Sequence, residues 1–308
     1  MKKYLVVIGG PTAVGKTELA IRLALHFDTV ILSADSRQIY KELNIGVAKP
    51  TQAQLNLVPH YFVSHISIKE NYSAYDYQKE VHQLLPKLFE KHEVVVMVGG
   101  TGFYIHAVLN GLNEIPQISE ETKQRVANLY AEKGITFLQQ ELKEKDPAYY
   151  FKSDIQNPVR LLRALEVIYE TNRPFTDFLN DRLIKKPEYF VPVKLWLNMN
   201  RERLYQRINN RVLSMIESGL ENEVQSLLPY RHLRAMNTVG YKEWWYYFDG
   251  RVGLNSIIEQ IQRNTRHYAK RQITWFKHQW EAKEIKTDDF NAEQLFLYIL
   301  SFVEKHLS

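Results

Sequence analysis

The sequence predicts an α/β fold, a parallel sheet with crossover helices that carries a mostly helical insertion. Three observations support this. Short apolar runs at Tyr4–Ile8, Val30–Ser33 and Val94–Val98 read as buried strands. Helical patterns separate them, most clearly over Ala74–Lys91, and alternation of strand and helix is the signature of βαβ units. Directly after the first run comes Gly10-Pro11-Thr12-Ala13-Val14-Gly15-Lys16-Thr17, a complete phosphate-binding loop, followed by a helical pattern through Leu19, Ala20, Leu23 and Ala24. Strand, glycine turn and helix in that order make the architecture P-loop NTPase-like.

The first element sets the chemistry. Glycines let the backbone of residues 10–17 wrap close to an anion with its N–H groups pointing inward. The helix start that follows adds partial positive charge. Lys16 supplies a point charge, and the Thr17 hydroxyl can hold a magnesium ion. The chain is therefore expected to grip a di- or triphosphate.

The second strand leads into Ser33-Ala34-Asp35-Ser36-Arg37-Gln38-Ile39-Tyr40. A carboxylate at a strand end beside the loop can hold magnesium through water or accept a proton from a nucleophile. The structural alternative for Asp35 is a helix N-cap. Ser36, Arg37 and Gln38 face the same crevice, and Arg and Gln side chains read base edges and phosphates. The third strand ends in Gly99-Gly100-Thr101-Gly102, where a kinase would place an Asp for the magnesium shell. Glycine permits close backbone approach to a ligand, or simply a tight turn. Strand ends in such folds gather ligands, so these three polar segments are expected to converge.

From about Ser119 to Lys186 the pattern is helical and polar, and Phe190–Leu197 then returns as an extended apolar run. The expected organisation is a core of residues 1–115 and 187–308 with a helical insertion over 116–186. Within it, Asn157-Pro158 opens a helix that places Arg160 and Arg163 on one face; the structural alternative is a solvated face with Glu166 paired to Arg163. Arg207 and Arg211 raise the same choice between a surface arginine and a clamp for a leaving diphosphate.

Composition narrows the class. The chain has 308 residues, 45% hydrophobic and 24% charged, values of a globular protein. It has no cysteine, so disulfides and thiolate metal sites are excluded. No apolar run suits a signal peptide or a membrane span, and a soluble cytoplasmic protein is expected, monomeric by default. The net charge is +5, and the segment Gly250–Lys283, with seven Lys or Arg against two Glu, accounts for all of it. There Arg263, Arg266, His267, Lys270 and Arg271 form one helical stripe, the kind that tracks a phosphate backbone. Tyr268, Trp275, Phe276 and Trp280 fit either base stacking or a core. His60, His65 and His106 show no ligand spacing and read as structural.

Together these segments resemble the bacterial tRNA dimethylallyltransferases. The resemblance rests on Gly10–Thr17, Asp35–Tyr40, Gly46–Pro50, Val98–Tyr104, Asn157–Glu166, Gly240–Glu243 and Thr265–Phe276, which span nearly the whole chain. Val14 departs from the Ser usual in the family's loop, and Gly102-Phe103 is a position where the family varies. The resemblance implies transfer of a dimethylallyl group from dimethylallyl diphosphate to N6 of the adenosine 3′ to the anticodon, in tRNAs reading codons that begin with U. It implies Asp35 as general base, Thr101 and Arg211 as further active-site groups, and Gly10, Pro11, Thr12, Ala13, Val14, Gly15, Lys16 and Thr17 on the diphosphate, with Thr17 near Mg2+. Asp35, Ser36, Arg37, Gln38, Val159, Arg160, Leu161, Leu162 and Arg163 would contact the tRNA anticodon stem-loop, as would Lys123, for which Arg125 is a rival; the basic stripe adds Arg266 and Lys270. A small-molecule kinase, an isopentenyltransferase acting on free adenine nucleotides and a non-catalytic RNA-binding protein are the alternatives.

Overall fold

A computed structural model describes residues 2–179 and 187–307. Contacts divide the chain into two compact units, Met1–Leu109 with Pro187–Ser308, and Asn110–Lys186.

The first unit is built on strands β1 (Tyr4–Gly9), β2 (Ile31–Ser33), β3 (His60–Tyr61), β4 (Val94–Val98), β5 (Val191–Asn198) and β6 (Lys283–Lys286). They form one parallel sheet in the order β3-β2-β4-β1-β5-β6. Around it and in the second unit run α1 (Lys16–His26), α2 (Gln52–Leu57), α3 (Ala74–Lys91), α4 (Gly102–Asn110), α5 (Glu120–Lys145), α6 (Pro147–Lys152), α7 (Pro158–Thr171), α8 (Arg201–Glu217), α9 (Leu220–Ser226), α10 (Trp244–Phe248), α11 (Leu254–Gln279) and α12 (Ala292–Leu307).

β1 explains the layering. Its side chains alternate between faces. Tyr4, Val6 and Ile8 join the core under α1 and α12, while Leu5 and Val7 join the core formed with α3 and α11. Helices cover both faces, so the strand is apolar throughout rather than alternating. Leu5, Val6, Val7 and Ile8 are fully buried, each contributing about 1.5–3 kcal/mol. That burial outweighs the strain at Ala13, held at φ 65 in the loop that follows, which costs about 1–3 kcal/mol.

β3 and β6 were not expected from the sequence. Both are edge strands. β3 spans two half-buried residues, and β6 buries only Ile285 between charged neighbours, so neither has an apolar run to read. The other four lie where the apolar runs predict them.

In the second unit α5 and α7 pack through Val126, Leu138, Leu142, Leu161, Leu165 and Ile168. Gly134, at φ 73, divides α5 into two helical segments. Asn157 caps α7 by accepting the Val159 N–H at 3.1 Å, and Pro158 occupies the first turn.

Candidate active site

Because β2, β4 and β1 are parallel neighbours, their carboxyl ends lie side by side. The phosphate-binding loop, the Asp35 turn and the Gly99–Gly102 loop therefore meet at one edge of the sheet.

The loop needs its glycines. Gly10 adopts φ 140, and a Cβ there would stand 2.6 Å from Leu197 O. Gly15, at φ 107, starts α1 without a side-chain cap, leaving N–H groups of the first turn for a ligand. Lys16 Nζ donates to Pro11 O at 2.6 Å. Burial pushes its pKa down to about 7, an effect that Asp35 opposes and Arg211 reinforces. The three groups thus share one electrostatic environment. Arg211, on α8, reaches Thr12 Oγ1 at 3.4 Å; burial, then the neighbouring Arg207, lower its pKa. Of the two arginines the sequence left open, Arg211 faces the loop through that bond. Arg207 lies near Gly15, with its guanidinium 3.9 Å from where a Cβ would sit.

Asp35 opens a turn rather than a helix. Oδ1 accepts the N–H groups of Arg37 (2.8 Å) and Gln38 (3.2 Å), while Oδ2 takes no hydrogen bond among the described residues. The turn thus uses one oxygen of the carboxylate. Thr101 holds this turn from β4's side: its Oγ1 accepts the Ser36 N–H at 3.0 Å, and its N–H donates to Ala34 O at 3.2 Å. Gly99 lets the two strand ends approach, since a Cβ there would lie 2.0 Å from Ala34 O. Beneath Asp35, Tyr77 and Tyr104 stack at 4.5 Å, and Tyr77 donates to Ser33 O. Burial raises both phenols; Tyr104 and then Asp35 raise Tyr77 further, while Tyr40 and Asp35 raise Tyr104 against the opposing Arg37.

Gln38 is less free than the sequence suggests. Its Nε2 donates to Val47 O and Ala48 O at 3.3 and 2.9 Å, which ties the amide nitrogen to the 47–48 backbone. The same 44–49 segment is held by Lys49 Nζ, bonded to Tyr40 O and Asn44 Oδ1, and by Glu223, which accepts from Ile45 N–H, Gly46 N–H and the Tyr241 phenol. Burial pushes Lys49 down to about 8 against the pull of Glu223 and Glu42.

On α11, Arg263, His267, Lys270 and Arg271 are exposed, but Arg266 is half-buried and donates to Asn209 Oδ1 at 2.6 Å, tying α11 to α8. Phe276 and Trp280 are core residues, with Phe276 stacked on Trp196. Tyr268 lies within the electrostatic reach of Asp35 instead: burial, then Asp35, raises its pKa. Gln272, which the sequence did not single out, bonds both Thr12 and Gly100. A lone glutamine on a helix carries no sequence signal for this.

The remaining tRNA-contact expectations fall in the second unit. Val159 is 73% exposed and Arg160 is exposed, whereas Leu161 is fully buried in the core, which withdraws its side chain from any direct contact. Leu162 packs partly buried beside it. Arg163 pairs with Glu166 at 3.4 Å, Lys123 with Glu120 at 2.5 Å, and the Arg125 guanidinium lies 4.9 Å from the Tyr169 ring centroid.

The family profile described as IPP transferase matches residues 38–279. This chain belongs to the IPP transferase family. The tRNA dimethylallyltransferase of Christiangramia forsetii is 46% identical to this IPP transferase over 302 residues, covering 98% of this chain and 99% of that one. The tRNA dimethylallyltransferase 1 of Bacteroides thetaiotaomicron is 47% identical over 279 residues, covering 91% and 90%. Among solved structures, the tRNA isopentenylpyrophosphate transferase of Bacillus halodurans superposes with a TM-score of 0.72 at 32% identity, covering 99% of this chain and 96% of that one. Among the described residues no helix of the chain is long and apolar enough to cross a membrane, and no cluster of His, Asp and Glu could hold a metal ion.

Proposed function

We propose that this IPP transferase moves the dimethylallyl group of dimethylallyl diphosphate onto N6 of the adenosine 3′ to the anticodon, in tRNAs reading codons that begin with U, and releases diphosphate. One observation carries the chemistry: among the described residues Asp35 presents a carboxylate oxygen free of hydrogen bonds, within the electrostatic reach of Lys16.

An allylic diphosphate ionises readily, so the protein's main task is to stabilise the departing diphosphate. Lys16, Arg211 and the loop's N–H groups provide positive potential where negative charge develops. As the carbon–oxygen bond breaks and the N6–carbon bond forms, N6 must shed a proton, and Asp35 Oδ2 accepts it. The adenine leaves its stack to reach the site, and in this reading Gln38 Oε1 meets its edge. Asp35, Ser36, Arg37, Gln38, Lys123, Val159, Arg160, Leu162, Arg163 and Lys270 contact the RNA in this reading, with the buried Leu161 side chain excluded.

Magnesium fits in a limited way. The Thr17 hydroxyl has no hydrogen-bond partner among the described residues and is a hard oxygen donor, but the absence of an acidic cluster leaves most ligands to water and to the substrate's phosphates. When bound, the ion would add charge neutralisation on the leaving diphosphate. In this reading the enzyme works as a monomer in the cytoplasm.

The test offers labelled dimethylallyl diphosphate with an anticodon stem-loop RNA, with AMP, or alone, while ATP consumption is followed. Label in the RNA with ATP untouched is expected. Label in AMP instead, or brisk ATP hydrolysis with unlabelled RNA, overturns the proposal.

A further inference from the structure

α11 buries Ile257, Ile261, Ala269, Gln272 and Phe276, and Gln272 is the polar member of that set, only 6% exposed. A buried amide has to find partners. Oε1 accepts the Thr12 N–H at 2.9 Å and Nε2 donates to Gly100 O at 2.9 Å, so one side chain bridges the phosphate-binding loop and the loop after β4. The bridge turns the Thr12 N–H toward α11, away from the anion cradle. It also fixes the residue whose hydroxyl meets Arg211.

We infer that Gln272 is a positioning residue for diphosphate capture: by holding the Thr12 peptide it sets the Thr12 hydroxyl and, through it, the Arg211 guanidinium. The inference rests on the reading of residues 10–17 as the diphosphate site. Gln272 itself touches no reacting atom. Its removal acts on the geometry of the clamp and leaves the exposed basic face of α11, with Lys270 and Arg271, in place.

The test is Gln272→Met, which keeps length and loses both hydrogen bonds. Its affinity for inorganic diphosphate, measured calorimetrically, is expected to fall about tenfold, the equivalent of one well-made hydrogen bond. KM for dimethylallyl diphosphate should rise in parallel, while affinity for the anticodon stem-loop holds. Gly100→Ala offers an independent route, because its methyl would stand 2.3 Å from Gln272 Nε2 and displace the amide. It should weaken diphosphate binding in the same way, and the double variant should be no weaker than Gln272→Met alone. A folded Gln272→Met that binds diphosphate as tightly as the parent overturns the inference, as does an equal loss of RNA affinity. If Gln272→Met does not fold, undiminished binding by Gly100→Ala overturns it. A parent protein that binds no diphosphate defeats the loop reading itself, a separate outcome.

Discussion

Thr101 Oγ1 accepts the Ser36 N–H at 3.0 Å, and this bond fastens the turn that carries Asp35 to the loop that follows β4. Thr101 N–H binds Ala34 O in the same place, so the carboxylate is oriented from both sides of the β2–β4 pair. Thr101→Val should lower kcat by up to about tenfold, the loss of one hydrogen bond, with Thr101→Ser close to the parent. Steady-state kinetics of the two variants checks this, and equal rates for Val and Ser would remove the hydroxyl from the argument.

Asp35 commits Oδ1 to a turn, and the proposed mechanism assigns the proton to Oδ2. Asp35→Asn keeps an acceptor for the Arg37 and Gln38 N–H groups but cannot take a proton. Turnover is expected to fall by ~10² to 10⁴ in both Asp35→Asn and Asp35→Ala, with RNA affinity little changed. Single-turnover rates with bound RNA provide the measurement. An Asn variant with near-parental turnover would show that Oδ2 is not the base.

Lys16 should make diphosphate binding pH-dependent. Its pKa in the free protein lies at about 7, and a bound anion raises it by favouring the charged form. Between about pH 7 and the raised value, the free protein is mostly neutral at Lys16 and the complex is protonated. Binding therefore takes up a proton, and affinity falls as pH rises through that window; below about pH 7 this contribution is fully present. Calorimetry with inorganic diphosphate, chelator and two buffers of different ionisation enthalpy measures the uptake. Lys16→Met, measured alongside, subtracts the diphosphate's own ionisation, and identical proton uptake in the two proteins would contradict the assignment.

The basic stripe of α11 should separate into two roles. Lys270 is exposed, so Lys270→Ala should weaken RNA binding and reduce the slope of log affinity against log salt by about one. Arg266 is tied to Asn209, so Arg266→Ala should instead cost about 1–2 kcal/mol of stability. Salt titrations and denaturant unfolding of the two variants decide between these outcomes. A salt slope unchanged by Lys270→Ala would assign that face of α11 to structure.

Glu223 accepts three hydrogen bonds at the 45–46 turn, two from backbone N–H groups and one from Tyr241. Removing it leaves those donors without their acceptor. Glu223→Ala should lower unfolding free energy by about 2 kcal/mol or more, measured by urea denaturation. A loss under about 0.5 kcal/mol would mean the turn is held by Lys49 and Gln38 alone.

Much of the fold is legible in the chain because local patterns carry it. β1, β2, β4 and β5 are continuous apolar runs, since helices bury both their faces, and the loop at residues 10–17 announces itself through glycines whose backbone angles other residues resist. The two edge strands leave no such trace. By itself, then, the sequence determined a parallel sheet, an anion-binding loop at its edge and a carboxylate at the next strand end. Only the tertiary structure decided that Oδ1 of Asp35 is spent on a turn while Oδ2 is not, that Arg266 is a brace and Lys270 is free to face solvent, and that Gln272 closes on Thr12. The physical reason is range: strand, turn and helix signals arise between residues a few positions apart, whereas a hydrogen bond across 260 positions exists only once the sheet has stacked its strand ends under α11.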